Sequence, residues 1–343
     1  MLTPLLLYYR GSLKHIYSCA AGKMIFLLLL IIAFQAVHAQ PPATVVSQKT
    51  KDLFKSIRSG SSTELEKQLS NGADANDSLD GYSALMAATL SGTADQMQML
   101  INHGAVVNFI AQTGETALWI AAPDIDKMRV LLDHGADVQH KVQDYGILVK
   151  IAAMPGTANA IKMLIDKGAD PRNSSPDNLL VYNAATSGDT AILGPLIRQG
   201  FNINDSLSFG DHPINGAMWF RTFATLKMLV DNGADVNVPY KGDTSNTFSE
   251  ATPLMMACIF HDKPALFYLL NKGANTNLKN RKGYTALMLL QQSEKDDPEM
   301  TQALLDHGAK ADAIAGNGND ALYFALQKGN TGSVKILKKY SNK

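Results

Sequence analysis

Ala251-Thr-Pro-Leu-Met-Met-Ala-Cys258, continued by Ile259-Phe-His-Asp-Lys-Pro-Ala-Leu-Phe-Tyr-Leu-Leu270 and closed by Asn271-Lys-Gly-Ala-Asn-Thr-Asn277, is the stretch whose reading decides the fold. Thr252 suits a helix N-cap, and Pro253 suits the first helical position, where an N–H would have no partner. Leu254, Ala257 and Cys258 follow at helical spacing and make one apolar face. A second short helix runs to Leu269-Leu270 and is stopped by Gly273, which takes a left-handed cap without a Cβ penalty. Two helices and a polar hairpin of this size cannot bury their own apolar faces and need neighbours on both sides.

The stopping glycine recurs as Gly72, Gly104, Gly135, Gly168, Gly200, Gly233, Gly273 and Gly308, most steps lying near the ~33-residue period of ankyrin units. Around it stand Asn71-Gly-Ala-Asp-Ala-Asn76, His134-Gly-Ala-Asp-Val138, Lys167-Gly-Ala-Asp170 and Asn232-Gly-Ala-Asp-Val-Asn237. The opening phrase recurs as Gly81-Tyr-Ser-Ala-Leu-Met-Ala-Ala88, Gly114-Glu-Thr-Ala-Leu-Trp-Ile-Ala-Ala122 and Gly283-Tyr-Thr-Ala-Leu-Met288. In these two phrases, in register many times over, the chain resembles the ankyrin-repeat family. The family's Thr-Pro-Leu-His-x-Ala signature stands here as Thr252 to Ala257 with Met255 in place of histidine. The resemblance implies an all-α solenoid of about nine helix–turn–helix repeats over residues 51–343, with cap repeats at 51–80 and 318–343. Repeats four to six depart most from the pattern: Ile147-Leu-Val-Lys150 replaces the N-cap phrase, and Met154-Pro-Gly156 ends that repeat's first helix.

A chain of 343 residues would ordinarily suggest two or three domains, but a solenoid grows without one enlarging core. With 46% hydrophobic and 18% charged residues the composition is that of a well-buried protein. Formal net charge is zero, and setting aside Arg10, Lys14 and Lys23 leaves 28 basic residues against 31 acidic. That balance carries no electrostatic footprint for nucleic acid or for an anionic membrane surface.

Met24 to Phe34 is an unbroken apolar run preceded by Lys23 and followed by Gln35-Ala-Val-His-Ala39. Basic, apolar and small-residue regions in that order read as a signal peptide over residues 1–39, cleaved after Ala39 and leaving a polar leader over 40–50. The rival is a retained anchor, against which Gln35 and His38 close the run short of the ~20 residues a spanning helix needs. Translation from Met24 is a second open point. Cys19 goes with the signal, so Cys258 has no intramolecular partner and reads as a buried, inert thiol.

No metal, phosphate-binding or catalytic motif stands in the sequence, so no cofactor, metal or catalytic residue is expected. His103, His134 and His307 each precede a repeat glycine and read as helix C-terminal residues binding the last carbonyls. Asn76, Asn173 and Asn204 begin glycosylation-type triplets, two of them inside the repeat's own hairpin.

What the resemblance implies is a non-enzymatic protein-binding module, using its concave face and hairpin tips on a protein partner, monomeric, with no nucleic acid and no membrane after signal cleavage. By analogy a signal peptide on such an array points to a bacterial periplasmic or secreted protein. Two alternatives stay open: a dedicated inhibitor or chaperone-like guard of an exported enzyme, and an enzyme with a site in the long 238–250 loop, which offers Tyr240, Lys241, Asp243, Ser245 and Glu250. In the family the two residues before the glycine that closes the first helix face the inner surface and vary with the partner. Leu90-Ser91 before Gly92 and Thr186-Ser187 before Gly188 set the register. In repeats six and seven the glycine is replaced by Arg221 and His261, and the pairs are Trp219-Phe220 and Ile259-Phe260. These four residues, with Tyr240 of the neighbouring loop, are the expected partner-binding set, because aromatics dominate binding hot spots.

Overall fold

The computed structural model describes residues 46–175, 177–208, 210–241 and 249–341. Among them stand eighteen α-helices in nine pairs, with two short hairpins and one 3-10 turn. The expected signal and most of the expected leader lie outside the described residues. One correction falls at that boundary: the first helix starts at Gln48, inside the expected leader, because the Ser47 side chain accepts from the Thr50 amide and caps it.

The chain divides into two compact units, the first reaching Ile151 and including the stretch from Gly156, the second beginning at Asp177 and including Ala152–Pro155. In the first, pairs are α1 (Gln48–Ser59) and α2 (Ser62–Ser70), α3 (Ala84–Ser91) and α4 (Ala94–Asn102), α5 (Ala117–Ala121) and α6 (Ile125–Asp133), α7 (Ile147–Ala152) and α8 (Ala158–Asp166). In the second they are α9 (Leu179–Ser187) and α10 (Thr190–Arg198), α11 (Pro213–Trp219) and α12 (Phe223–Asp231), α13 (Pro253–Ile259) and α14 (Lys263–Asn271), α15 (Ala286–Gln291) and α16 (Pro298–Asp306), α17 (Ala321–Lys328) and α18 (Thr331–Ser341). Within each unit first helices pack on first helices and second on second, so each repeat has a two-layer section. Leu53, Leu85, Met97 and Leu131 in one unit, and Leu229, Met256, Leu269 and Leu287 in the other, are fully buried between the layers.

Local chemistry explains the repeating phrase. Ser83, Thr116, Thr252 and Thr285 each accept a hydrogen bond from the amide three residues on and start the first helices. All eight glycines of the ladder are left-handed, with φ between 77 and 97°. The following amide turns back to the last turn of the second helix, as Ala105 to the Leu100 carbonyl and Ala274 to Leu269, which satisfies helix-end carbonyls. Asp74, Asp137 and Asp235 accept from the amide two residues on and fix the hairpin bend. The amide side chain after the bend then joins neighbouring repeats, an asparagine at 76, 204 and 237 and Gln139 after Asp137. Asn76 donates to the Gly104 carbonyl at 3.0 Å and accepts from the Val106 amide at 2.8 Å, and Asn204 does the same with Gly233 and Asp235 at 3.0 and 2.9 Å. Two of the three glycosylation-type asparagines are thus structural stitches.

Hairpins β1 (Ser78–Leu79) with β2 (Tyr82–Ser83) and β3 (Lys141–Val142) with β4 (Tyr145–Gly146) are antiparallel. Their two central residues have positive φ, at Asp80-Gly81 and Gln143-Asp144, the geometry that matches strand twist. The last repeat departs from a polar closing cap: Tyr323, Leu326 and Tyr340 are exposed by 44, 55 and 36%. Cys258 is fully buried, and desolvation pushes its thiol pKa up. His134 and His307 each place Nδ1 2.8 Å from the carbonyl four residues back.

Candidate functional site

Arg221 and His261, which stand where the first helix of other repeats closes on glycine, have φ of 55 and 51°. Gly60, Gly188 and Gly329 hold the corresponding left-handed position at 72, 74 and 72°. Repeats six and seven therefore keep the turn and lose the residue that adopts it without strain. The helices shorten by one residue, so that Trp219 and Ile259 are the last helical residues and Phe220 and Phe260 the caps.

That turn carries the aromatic residues to the ends of α11 and α13. Phe220 is 40% exposed, and Trp219, Ile259 and Phe260 are half-buried. Trp219 stands edge-on to Tyr240, with centroids 5.1 Å apart, and tilted against Phe260 at 5.6 Å. Tyr240 is only 3% exposed, which corrects its expected role as a contact residue. Its amide donates to the Ala251 carbonyl and its carbonyl accepts from the Glu250 amide, both at 2.9 Å. Those bonds close the base of the long loop and turn the ring inward as a wall for Trp219. Residues 242–248, and with them Asp243 and Ser245 of the alternative enzymatic reading, lie outside the described residues.

Charge around the cluster is unevenly committed. Asp262, which starts α14, accepts from the Ala265 amide at 3.1 Å. Asp297 accepts from the Met300 amide at 3.2 Å and faces Lys263 at 3.2 Å. Asp296 accepts from the Gly332 and Ser333 amides at 2.6 and 3.2 Å. Arg221 approaches Asp262 only through Nε at 3.9 Å, and its side chain is 58% exposed. The pKa of His261 is lowered by burial and by the Lys295 charge, against the opposing pull of Asp297.

Sequence reasoning missed three further groups. Phe223, 37% exposed, meets Tyr268 edge-on at 5.7 Å on the second helices. Asp231 there accepts from Lys227, Lys272 and Tyr268, whose hydrogen bonds hold its pKa well below the usual carboxylate range. In repeats five and six Asp211 is 1% exposed and accepts from the Tyr182 hydroxyl at 2.9 Å. Burial pushes its carboxyl up to about 6, against the hydrogen bonds from Tyr182, Asn215 and the His212 amide. In the first unit Lys150 donates to the Trp119 carbonyl and lies over its ring at 5.2 Å. Burial holds this amine down to about 8, with Glu115 pulling the other way. The available signal was positional: Trp119, Lys150, Tyr182 and Asn215 occupy the slot that other repeats fill with Met86, Met255 and Met288.

Among the described residues no group of histidine, cysteine and carboxylate side chains could hold a metal ion, and no helix is long and apolar enough to cross a membrane.

A family model of ankyrin repeats, in three copies, matches residues 53–142 and 254–343. Similar proteins include a putative palmitoyltransferase, ZDHHC13, of Danio rerio, 29% identical over 53% of this chain and 27% of its own. SH3 and multiple ankyrin repeat domains protein 2 of Homo sapiens is 24% identical over 56% of this chain and 10% of its own. Ankyrin repeat, SAM and basic leucine zipper domain-containing protein 1 of Notamacropus eugenii is 30% identical over 31% and 22%. The similarity spans about a quarter or less of each relative's length.

Proposed function

Because the chain belongs to the ankyrin-repeat family, we propose that it is a non-enzymatic protein-binding module which grips its partner at the ends of α11 and α13. Phe220 is the exposed anchor, and Trp219, Ile259 and Phe260 are the half-buried residues of the same two helix ends. The observation that carries this reading is an exposed aromatic, Phe220, placed by a strained turn directly after the Trp219 that packs on Phe260. Large aromatic side chains bury ~150–250 Å² each and lead binding hot spots. Residues in strained backbone conformations cluster at functional sites.

Export is part of the proposal. The apolar run before Ala39 directs the chain out of the cytoplasm, to the periplasm or the medium, where it acts as a monomer after cleavage. N-terminal sequencing of the exported protein is expected to begin at Gln40, and a full-length chain pelleting with membranes would overturn it. The site is tested by affinity capture from the exported fraction with the wild-type chain and with Phe220→Ala. A partner held by the first and lost by the second, at unchanged thermal stability, is the expected result. Equal capture by both removes the site.

A further inference from the structure

We propose, resting on the binding reading above, that the partner presents an acidic segment, with an apolar side chain on the aromatic cluster and carboxylates beside it facing Arg221 and Lys295. The three aspartates of this edge are engaged. Asp262 and Asp297 cap α14 and α16, and Asp296 holds the first turn of α18. A carboxylate at a helix N-terminus has its charge compensated by the amides and the dipole it faces. Asp297 is further neutralised by Lys263, which also pairs with Glu299 at 2.7 Å. Glu294, 89% exposed, meets Lys328 at 3.6 Å.

The bases are left over. Arg221 is more than half exposed with one long contact through Nε, which leaves its guanidinium accessible to a carboxylate that could bind it by two parallel hydrogen bonds. Lys295, in the repeat that follows His261, is exposed, and its charge disfavours the protonation of His261. The Arg221 to Asp262 contact links repeats six and seven along this edge, with Phe220 and Phe260 as the caps of their first helices. The backbone adds an independent observation. Glycine would hold both turns without strain, yet a cationic and a titratable side chain occupy them at φ 55 and 51°. A side chain kept at such a position against its backbone preference points to a use for the side chain.

The test selects peptides of about 12 random residues, displayed on phage, against the full chain, and then measures a synthetic copy of the enriched sequence on variants. Arg221→Gly removes the charge and relaxes the turn, and amide exchange of α11 and α12 in the variant separates loss of binding from loss of folding. Enriched peptides are expected to place Asp or Glu within a few residues of Phe, Trp or Leu. Their affinity should fall about tenfold in Arg221→Gly and less in Lys295→Ser. The Arg221→Gly difference should shrink between ~0.1 and ~1 M salt, as the screening length drops from ~10 to ~3 Å. Enriched peptides that are neutral or basic, no enrichment at all, or full affinity in Arg221→Gly would overturn the acidic partner. Neutral peptides that still need Phe220 would remove only the acidic assignment. Peptides indifferent to both Phe220→Ala and Trp219→Ala would remove the binding site as well.

Discussion

In repeat two Gly92 closes α3 with φ −97°, and a Cβ there would come within 2.5 Å of Gln96 Oε1 and 2.9 Å of the Ala88 carbonyl oxygen. The space is needed by Gln96, a fully buried side chain that folds back to accept from the Thr93 amide while Thr93 caps α4. In repeat six the corresponding residue is Arg221, left-handed at φ 55°. There Thr222 makes no side-chain cap to α12, and its hydroxyl donates instead to the Ala185 carbonyl of the preceding repeat at 3.0 Å, joined by Thr225 at 2.7 Å. One repeat uses glycine for closeness within itself. The other anchors its second helix sideways, leaves the turn open and fills it with a charged side chain. The same slot is a packing constraint in one place and a surface position in the other, so a glycine in a repeat consensus need not have a single cause.

Trp219→Ala should give the largest change. It removes a half-buried indole from between Tyr240 and Phe260, at a cost of about 2–4 kcal/mol. Hydrogen exchange of α11 and α13 amides in denaturant reads this locally, which matters where two compact units need not unfold together. Leu90→Ala, at the matching and 54% exposed site of repeat two, should change little. Equal losses at both sites would erase the contrast between a packed cluster and an ordinary surface.

Gly92→Arg comes next. The backbone conformation suits any residue, but the added Cβ must displace Gln96 and break the capping box, at about 2–3 kcal/mol. Exchange protection of α4 amides should fall. Unchanged protection would show that Gly92 sits there without a packing reason.

Asp211 sharpens the contrast through pH. Its folded pKa of about 6 lies above the ~3.9 of an unfolded aspartate, so the native state holds the proton more tightly. Its contribution to stability is full below pH ~4 and is lost as pH rises through about 6, by roughly 2–3 kcal/mol. Asp211→Asn should remove that part of the slope in denaturation followed through α9 and α11 between pH ~4 and ~7. The wild-type slope persisting in the variant would assign the pH dependence to other groups.

The ladder of glycines, the Ser/Thr caps and the helix pairing were legible in the sequence because each is set by a residue acting on its own backbone. His134 and His307 could be read for the same reason, whereas His103 instead faces Glu66 at 3.4 Å, and Cys258 could be read as buried from its place on the apolar helix face. Tyr240 could not. Its burial follows from the Ala251 and Glu250 bonds that close a loop in space, and a loop's sequence does not say which way its ring turns. Asp211 was invisible as well, since a carboxylate before Pro213 reads as an exposed turn residue until Tyr182 of the preceding repeat is seen to reach it. The missing glycines before Thr222 and Asp262 were visible as gaps, but only the folded backbone reveals that the left-handed turn survives without them.

Arg221→Gly should give the smallest change and the only gain. A non-glycine residue at φ 55° carries a strain of about 1 kcal/mol or more, and glycine relieves it at the cost of extra freedom in the unfolded chain, about 0.5–1 kcal/mol. The lost contact to Asp262, 3.9 Å long and mostly in solvent, subtracts little. The net expectation is a stabilisation of a few tenths of a kcal/mol, read as slower exchange of the α11 and α12 amides. The reverse substitution at Gly188, φ 74°, should destabilise by more, since a Cβ there would meet Thr222 Cγ2 at 3.0 Å as well as the strain. If Arg221→Gly instead loosens α12, the arginine holds the turn, and repeat six would need its side chain for folding rather than for what it presents to a partner.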